Sequence, residues 1–180
     1  MNPDEAARKL FKWASDINIG YIVDFHYFIV RELRHKEDEL NQAIANFRGD
    51  RKEEIELRVE RDRYASTYKQ HLMSTTFLLL YSHLEEWLFL IEKQYAKSLK
   101  RNTKSRGSVS RFAPVIKHAL RFDLSQDENL RFLLEAEKVR NCLLHANARI
   151  DLSRDTKVLR KLVSKGDLFE RNSRLYVDQG

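Results

Sequence analysis

Only two prolines and five glycines interrupt 180 residues. No other feature of the chain constrains its fold as much. A turn-dense β fold draws heavily on Gly and Pro, whereas long helices need few of either. The sequence therefore predicts an all-α fold: a helical bundle with a long N-terminal helical hairpin, a late helix of mixed polarity and a small C-terminal β-hairpin. One domain spanning 1–180 is expected, with 151–180 as a C-terminal extension.

The helix boundaries follow from capping chemistry. Asn2 can cap, Pro3 suits the first helical position and Glu5 lies three past the cap. Leu10, Ala14, Ile17, Tyr21, Phe25, Phe28 and Ile29 then recur at helical spacing, in a pattern that runs to Phe47 with a kink near Gly20. Gly49 is placed to end this helix in the left-handed conformation. Asp50, with Glu53 three residues on, opens a second long helix reaching Tyr95. Residues 101–110 read as a loop, and a third helix runs from Arg111 or Pro114 to Arg121. Ser125 with Glu128 forms a capping box for the fourth, which extends to about Arg149. Ser153 to Ser164 is a short helix stopped by Gly166. Leu168–Glu170 and Arg174–Val177 flank Arg171-Asn172-Ser173 as a terminal hairpin. Trp13, Trp87 and the Phe and Tyr stripes read as core or interface.

Composition bounds the class. Hydrophobic residues make up 42% and charged residues 33%, as in a soluble globular protein. The single cysteine, Cys142, forbids an intrachain disulfide, suits a reducing compartment and reads as a small core residue. The first residues lack the layout of a signal peptide. The most apolar stretch, Phe77 to Ile91, is too short to span a bilayer. A cytoplasmic protein without membrane association is expected. The net charge of +6 is uneven. From Lys97 to Arg121 basic residues stand without a single Asp or Glu, whereas Arg31 to Arg63 is balanced. Lys97, Lys100, Arg101, Lys104, Arg106 and Arg111 are thus candidate contacts to an RNA backbone.

The most informative short pattern is Arg140-Asn141-Cys142-Leu143-Leu144-His145. Arginine grips phosphate, histidine moves protons near neutral pH and asparagine can orient either. An Arg five before a His arises by chance about 0.6 times in such a chain, and with Asn after the Arg about 0.03 times. On a helical wheel, Leu130, Leu133, Leu134, Glu137, Asn141, Leu144, His145 and Ala148 share one stripe. Phe132, Ala136, Val139, Leu143 and Ala146 form the other, so the helix is covered on both sides. Glu137 can hold Arg140 or Asn141, and Asn141 meets His145 one turn on. Arg140 and His145 lie about 140° apart around the axis, a spacing that hints at a site completed by a second copy. No cluster with metal-ligand spacing is evident, and no cofactor is expected. His83, Glu86 and Trp87 share one structural helix face.

With these residues the chain resembles the HEPN superfamily, small helical bundles with an Arg-x4–6-His motif in a late helix, often with Asn after the Arg. Arg140, Asn141 and His145 match that motif. The resemblance implies a homodimer with facing motifs and metal-independent endoribonuclease activity. Arg140 and His145 would be catalytic and Asn141 supporting, as would Glu137 from its place on the helix. It further implies a toxin or phage-defence role beside an antitoxin or defence-system partner. Members regulated by tyrosine adenylylation often continue His-x-Tyr, but this chain reads His145-Ala146-Asn147. The alternative reading is a non-catalytic HEPN-like module that binds RNA, a nucleotide or a protein partner.

Overall fold

A computed structural model of the chain describes residues 3–95, 109, 111, 112, 127–166 and 168–177. The fold is all-α apart from one two-stranded antiparallel sheet. Its helices are α1 (Pro3–Ala45), α2 (Arg51–Asp62), α3 (Lys69–Tyr95), α4 (Glu128–His145) and α5 (Thr156–Lys165). The strands are β1 (Phe169–Arg171) and β2 (Arg174–Tyr176). No helix among the described residues is long and apolar enough to cross a membrane. The chain divides into two compact units, one up to Thr76 and one from Phe77 onward, with the boundary inside α3.

The first unit is an antiparallel helical hairpin. Late residues of α1 meet early residues of the returning chain: Lys69 Nζ donates to Glu37 Oε2 at 2.7 Å, and His26 Nδ1 lies 2.9 Å from Thr76 Oγ1. His26 thus has a partner fifty residues away, which no sequence spacing would reveal. At the turn, Asp50 Oδ1 accepts the Lys52 and Glu53 amides at 2.7 and 3.0 Å, the expected cap. Gly49, however, has no positive φ. The space around it is close-set, since a Cβ there would meet the ends of the Phe47 and Glu53 side chains and make them shift. Gly20 passes through α1 inside one unbroken helix. The expected second helix is interrupted by a π-helical turn, Arg63–Tyr68, where Ser66 Oγ donates to the Asp62 carbonyl at 2.7 Å. Such back-bonding competes with the helical ladder and is a recognised source of distortion. Burial here is thin. Val30 and Leu40 are buried, α2 buries nothing, and Trp13 and Tyr21 are exposed and so outside this unit's core.

The second unit has two apolar clusters, and α4 contributes to both. Ala136 joins Tyr81, Leu88, Val109 and Phe112. Val139, Cys142 and Ala146 join Ile150, Leu159, Leu162, Leu168 and Leu175. Each large aliphatic side chain withdrawn from water contributes about 1.5–3 kcal/mol. Two expected boundaries of α4 are corrected. Its cap is Asp127, whose Oδ1 accepts the Leu130 amide at 3.0 Å, rather than Ser125, which lies outside the described residues. Its end is His145 rather than Arg149, because Asn147 and Ala148 turn left-handed at φ 49° and 62°. The two-stripe wheel also fails at Phe132, which is exposed. Val109, expected in a loop, is helical together with Arg111 and Phe112. The rest of the expected loop and third helix lies outside the described residues.

The C-terminal hairpin forms as predicted. Arg171 pairs with Arg174 around Asn172-Ser173, whose φ values of 52° and 60° make a tight turn with both central residues left-handed. Asparagine visits that region at little cost, which suits the first position. Gly166, at φ 85°, closes α5 as expected. The hairpin also fastens the end of α4: the Leu175 amide donates to the Ala148 carbonyl at 2.7 Å, and the Ile150 amide to the Ser173 carbonyl at 2.9 Å.

Candidate active site

Arg140, Asn141 and His145 line a single groove of about 610 Å³ in the second unit. One bank is α4, with Glu137 and Lys138 in addition to the three motif residues. The other is the segment after α4, with Leu152, Ser153, Arg154 and Asp155. Residues past Ile150 therefore build this cleft.

Two features hold that second bank in place. Ile150 is fully buried at the start of a 3-10 turn, Ile150–Leu152. Thr156 Oγ1 reaches the Ile150 and Ser153 carbonyls at 2.9 and 2.7 Å. The Asp155 amide adds a bond to Ser153 Oγ at 3.2 Å. Beside this turn Arg149 grips Asp151 through two nitrogens, at 3.2 and 2.6 Å, and that hydrogen-bonded guanidinium holds Asp151 below the usual carboxylate range.

The motif side chains pair differently from the expectation. Arg140 Nη1 donates to Asn141 Oδ1 at 2.9 Å, and Nη2 to Glu85 Oε2 on α3 at 3.4 Å. Asn141 thus spends its oxygen on Arg140 and keeps its two amide hydrogens for the groove. The expected Asn141–His145 bond is not formed. Glu137 does not hold Arg140 either. Its carboxylate is buried and accepts the Val109 amide at 3.1 Å, satisfying the start of that helical segment. Glu85 does the holding instead. Glu85 and Arg140 are fifty-five residues apart, beyond any helical period.

His145, the last residue of α4, is exposed and makes no hydrogen bond or ion pair among the described residues. An imidazole in that situation is free to meet a substrate and exchange protons with it. Behind it Cys142 is completely buried, and burial pushes its thiol above its ordinary pKa, against a smaller downward pull from a Ser153 hydrogen bond. It is a core residue and not a nucleophile.

The basic segment contributes one described candidate. Arg111 donates to the buried carboxylate of Glu92 at 2.6 Å and lies over the Phe112 ring. That arginine is engaged in structure. Lys97, Lys100, Arg101, Lys104 and Arg106 lie outside the described residues. Sequence reading missed Lys138 on α4 itself, and it missed Ser153, Arg154 and Asp155 because a periodicity argument confined to one helix does not see the bank opposite.

Among the described residues no three His, Cys, Asp or Glu side chains gather as a metal site would require. His83 accepts from Trp87 Nε1 at 2.6 Å, in keeping with a structural role for that helix face. The groove offers guanidinium, amide, amine and imidazole groups, a set suited to an anion that must also lose or gain a proton. Compared with known proteins, the chain matches no family model, no curated protein and no solved structure.

Proposed function

We propose that this chain is a HEPN-type, metal-independent endoribonuclease. The observation that carries the reading is the convergence of Arg140, Asn141 and the unengaged His145 on one groove. A ribose 2′-oxygen attacks the adjacent phosphorus, the bond from phosphorus to the 5′-oxygen breaks, and a 2′,3′-cyclic phosphate remains. His145 takes the hydroxyl proton, or returns one to the departing 5′-oxygen. Such transfer is worth about 10²–10⁴-fold in rate. Arg140 and the Asn141 amide stabilise charge growing on the phosphoryl oxygens, and Glu85 aims Arg140.

One imidazole cannot be base and acid in the same step. A second copy facing the groove supplies the other. Exposed apolar side chains support that arrangement: Leu152 in the groove lining is 65% exposed, and Leu144, next to His145 in the chain, is 48% exposed. The protein then works on RNA as a homodimer, in a toxin or defence setting beside a regulatory partner.

The alternative is a non-catalytic module that grips RNA, a nucleotide or a protein partner. It is favoured by one fact, the prior engagement of Arg140 by Glu85 and Asn141. The test is incubation of wild type and His145→Ala with labelled RNA in EDTA, followed by analysis of product ends. The nuclease reading expects cleavage by wild type alone, leaving 2′,3′-cyclic phosphate. Equal cleavage by both proteins, or none by either, would overturn it.

A further inference from the structure

The groove is larger than a single phosphate needs. At about 610 Å³ it falls in the range of pockets that enclose a whole organic ligand. Its lining holds three cations, Lys138, Arg140 and Arg154, against two carboxylates, Glu137 and Asp155. The cations are not equivalent. Arg140 is engaged by Asn141 and Glu85. Lys138 lies 3.5 Å from Asp155. Arg154 is exposed and makes no ion pair among the described residues. It also stands on the turn fixed by buried Ile150 and by the Thr156 hydroxyl, whose one proton is shared between the Ile150 and Ser153 carbonyls, so its backbone is set before any ligand arrives.

An unneutralised arginine on a preorganised turn, facing a motif that handles phosphate, suits bidentate capture of another phosphate. Resting on the ribonuclease reading, we propose that Arg154 forms a second phosphate subsite. The groove then takes RNA across two consecutive phosphates. The one at Arg140 and His145 is cut, and its uncut neighbour sits on Arg154. Single-stranded RNA with a flanking phosphate is the preferred substrate class, and a lone phosphodiester is a poor one.

The test compares a diribonucleotide having one phosphodiester with the same molecule carrying an extra terminal phosphate at its 5′ or 3′ end. Steady-state cleavage is measured for wild type, Arg154→Ala, Arg154→Lys and the charge control Arg160→Ala, an exposed arginine outside the groove lining. Wild type should favour one of the phosphorylated forms by roughly tenfold in KM, as expected for a charge-assisted phosphate contact. Arg154→Ala should erase that advantage, with the loss falling on KM, Arg154→Lys should restore part of it, and Arg160→Ala should keep it. Persistence of the preference in Arg154→Ala, or equal loss in Arg160→Ala, would overturn the subsite and leave the nuclease reading standing. If wild type cuts neither substrate, the nuclease reading falls, and equilibrium binding of the uncleavable 2′-deoxy forms judges the subsite. An advantage for the extra phosphate that vanishes in Arg154→Ala sustains it, and equal affinities end it. On single-stranded RNA analogues Arg154→Ala should also reduce the slope of log affinity against log salt by about 0.7, the value for one lost phosphate contact.

Discussion

The two units of this chain achieve order by different means. In the hairpin up to Thr76, few of the described side chains are buried, and most visible determinants are local: a cap at Asp50, a close-set glycine at position 49 and ion pairs along the helices, with Glu37–Lys69 and His26–Thr76 as long-range links. In the unit from Phe77 onward, Val139, Cys142, Ile150, Leu159, Leu162, Leu168 and Leu175 close around one another from four separate elements. The groove grows out of that second arrangement. A catalytic geometry must be held within a fraction of an ångström, and packed cores hold position better than solvated helices.

That contrast can be broken at several points, starting with the largest effect. Under the proposed ribonuclease activity, His145→Ala should lower RNA cleavage by about 10²–10⁴-fold without moving the melting temperature, because its side chain is exposed and bonds to nothing in the described fold. A parallel fall in melting temperature would make the residue structural. Next, Leu159→Ala, at a fully buried position, should cost about 2–5 kcal/mol in denaturant unfolding. Ile55→Ala, on the half-exposed face of α2, should stay within about 0.5 kcal/mol. Similar costs at both sites would erase the distinction between the units. Asp50→Ala should cost about 0.5–2 kcal/mol, the usual range for a lost helix cap, and Asp50→Asn should recover most of it. The smallest effect is tied to pH. The folded pKa of Cys142 is raised by burial, so the native state keeps a proton that the unfolded chain gives up. Its contribution is intact below the unfolded thiol value of about 8.5 and fades as pH climbs through the folded value. Cys142→Ala should flatten that alkaline decline, and a decline unchanged in the variant would assign it to other groups.

Much of the architecture was legible because it is written locally. The Asp50 cap, the Gly166 stop and the Asn172-Ser173 turn each follow from one residue's backbone chemistry, and each appears in the structure. The failures share a cause. Helical period alone placed Phe132 inside and carried α4 on to Arg149, although neither is set by the helix itself. The left-handed pair at Asn147 and Ala148 is closed by the Ala148 amide on the Cys142 carbonyl, and the Ala148 carbonyl in turn accepts the Leu175 amide of the terminal hairpin. The same holds for the site. Arg140, Asn141 and His145 were readable as a motif, whereas Glu85 and Arg154 were not. Their link to the motif is tertiary, and sequence spacing does not encode it.

The fastening of Ala148 and Ile150 to the strand turn has a practical corollary for anyone altering this chain. His145 stands where α4 gives out, and the segment just after it is bonded at Ala148 and Ile150 to a hairpin more than twenty residues downstream. One residue inserted between Arg171 and Arg174 would leave every motif letter unchanged and should still disturb the two bonds that tie the hairpin to Ala148 and Ile150. The six-letter signature therefore has a distant companion, and a comparison confined to the signature would not see a change in that short turn.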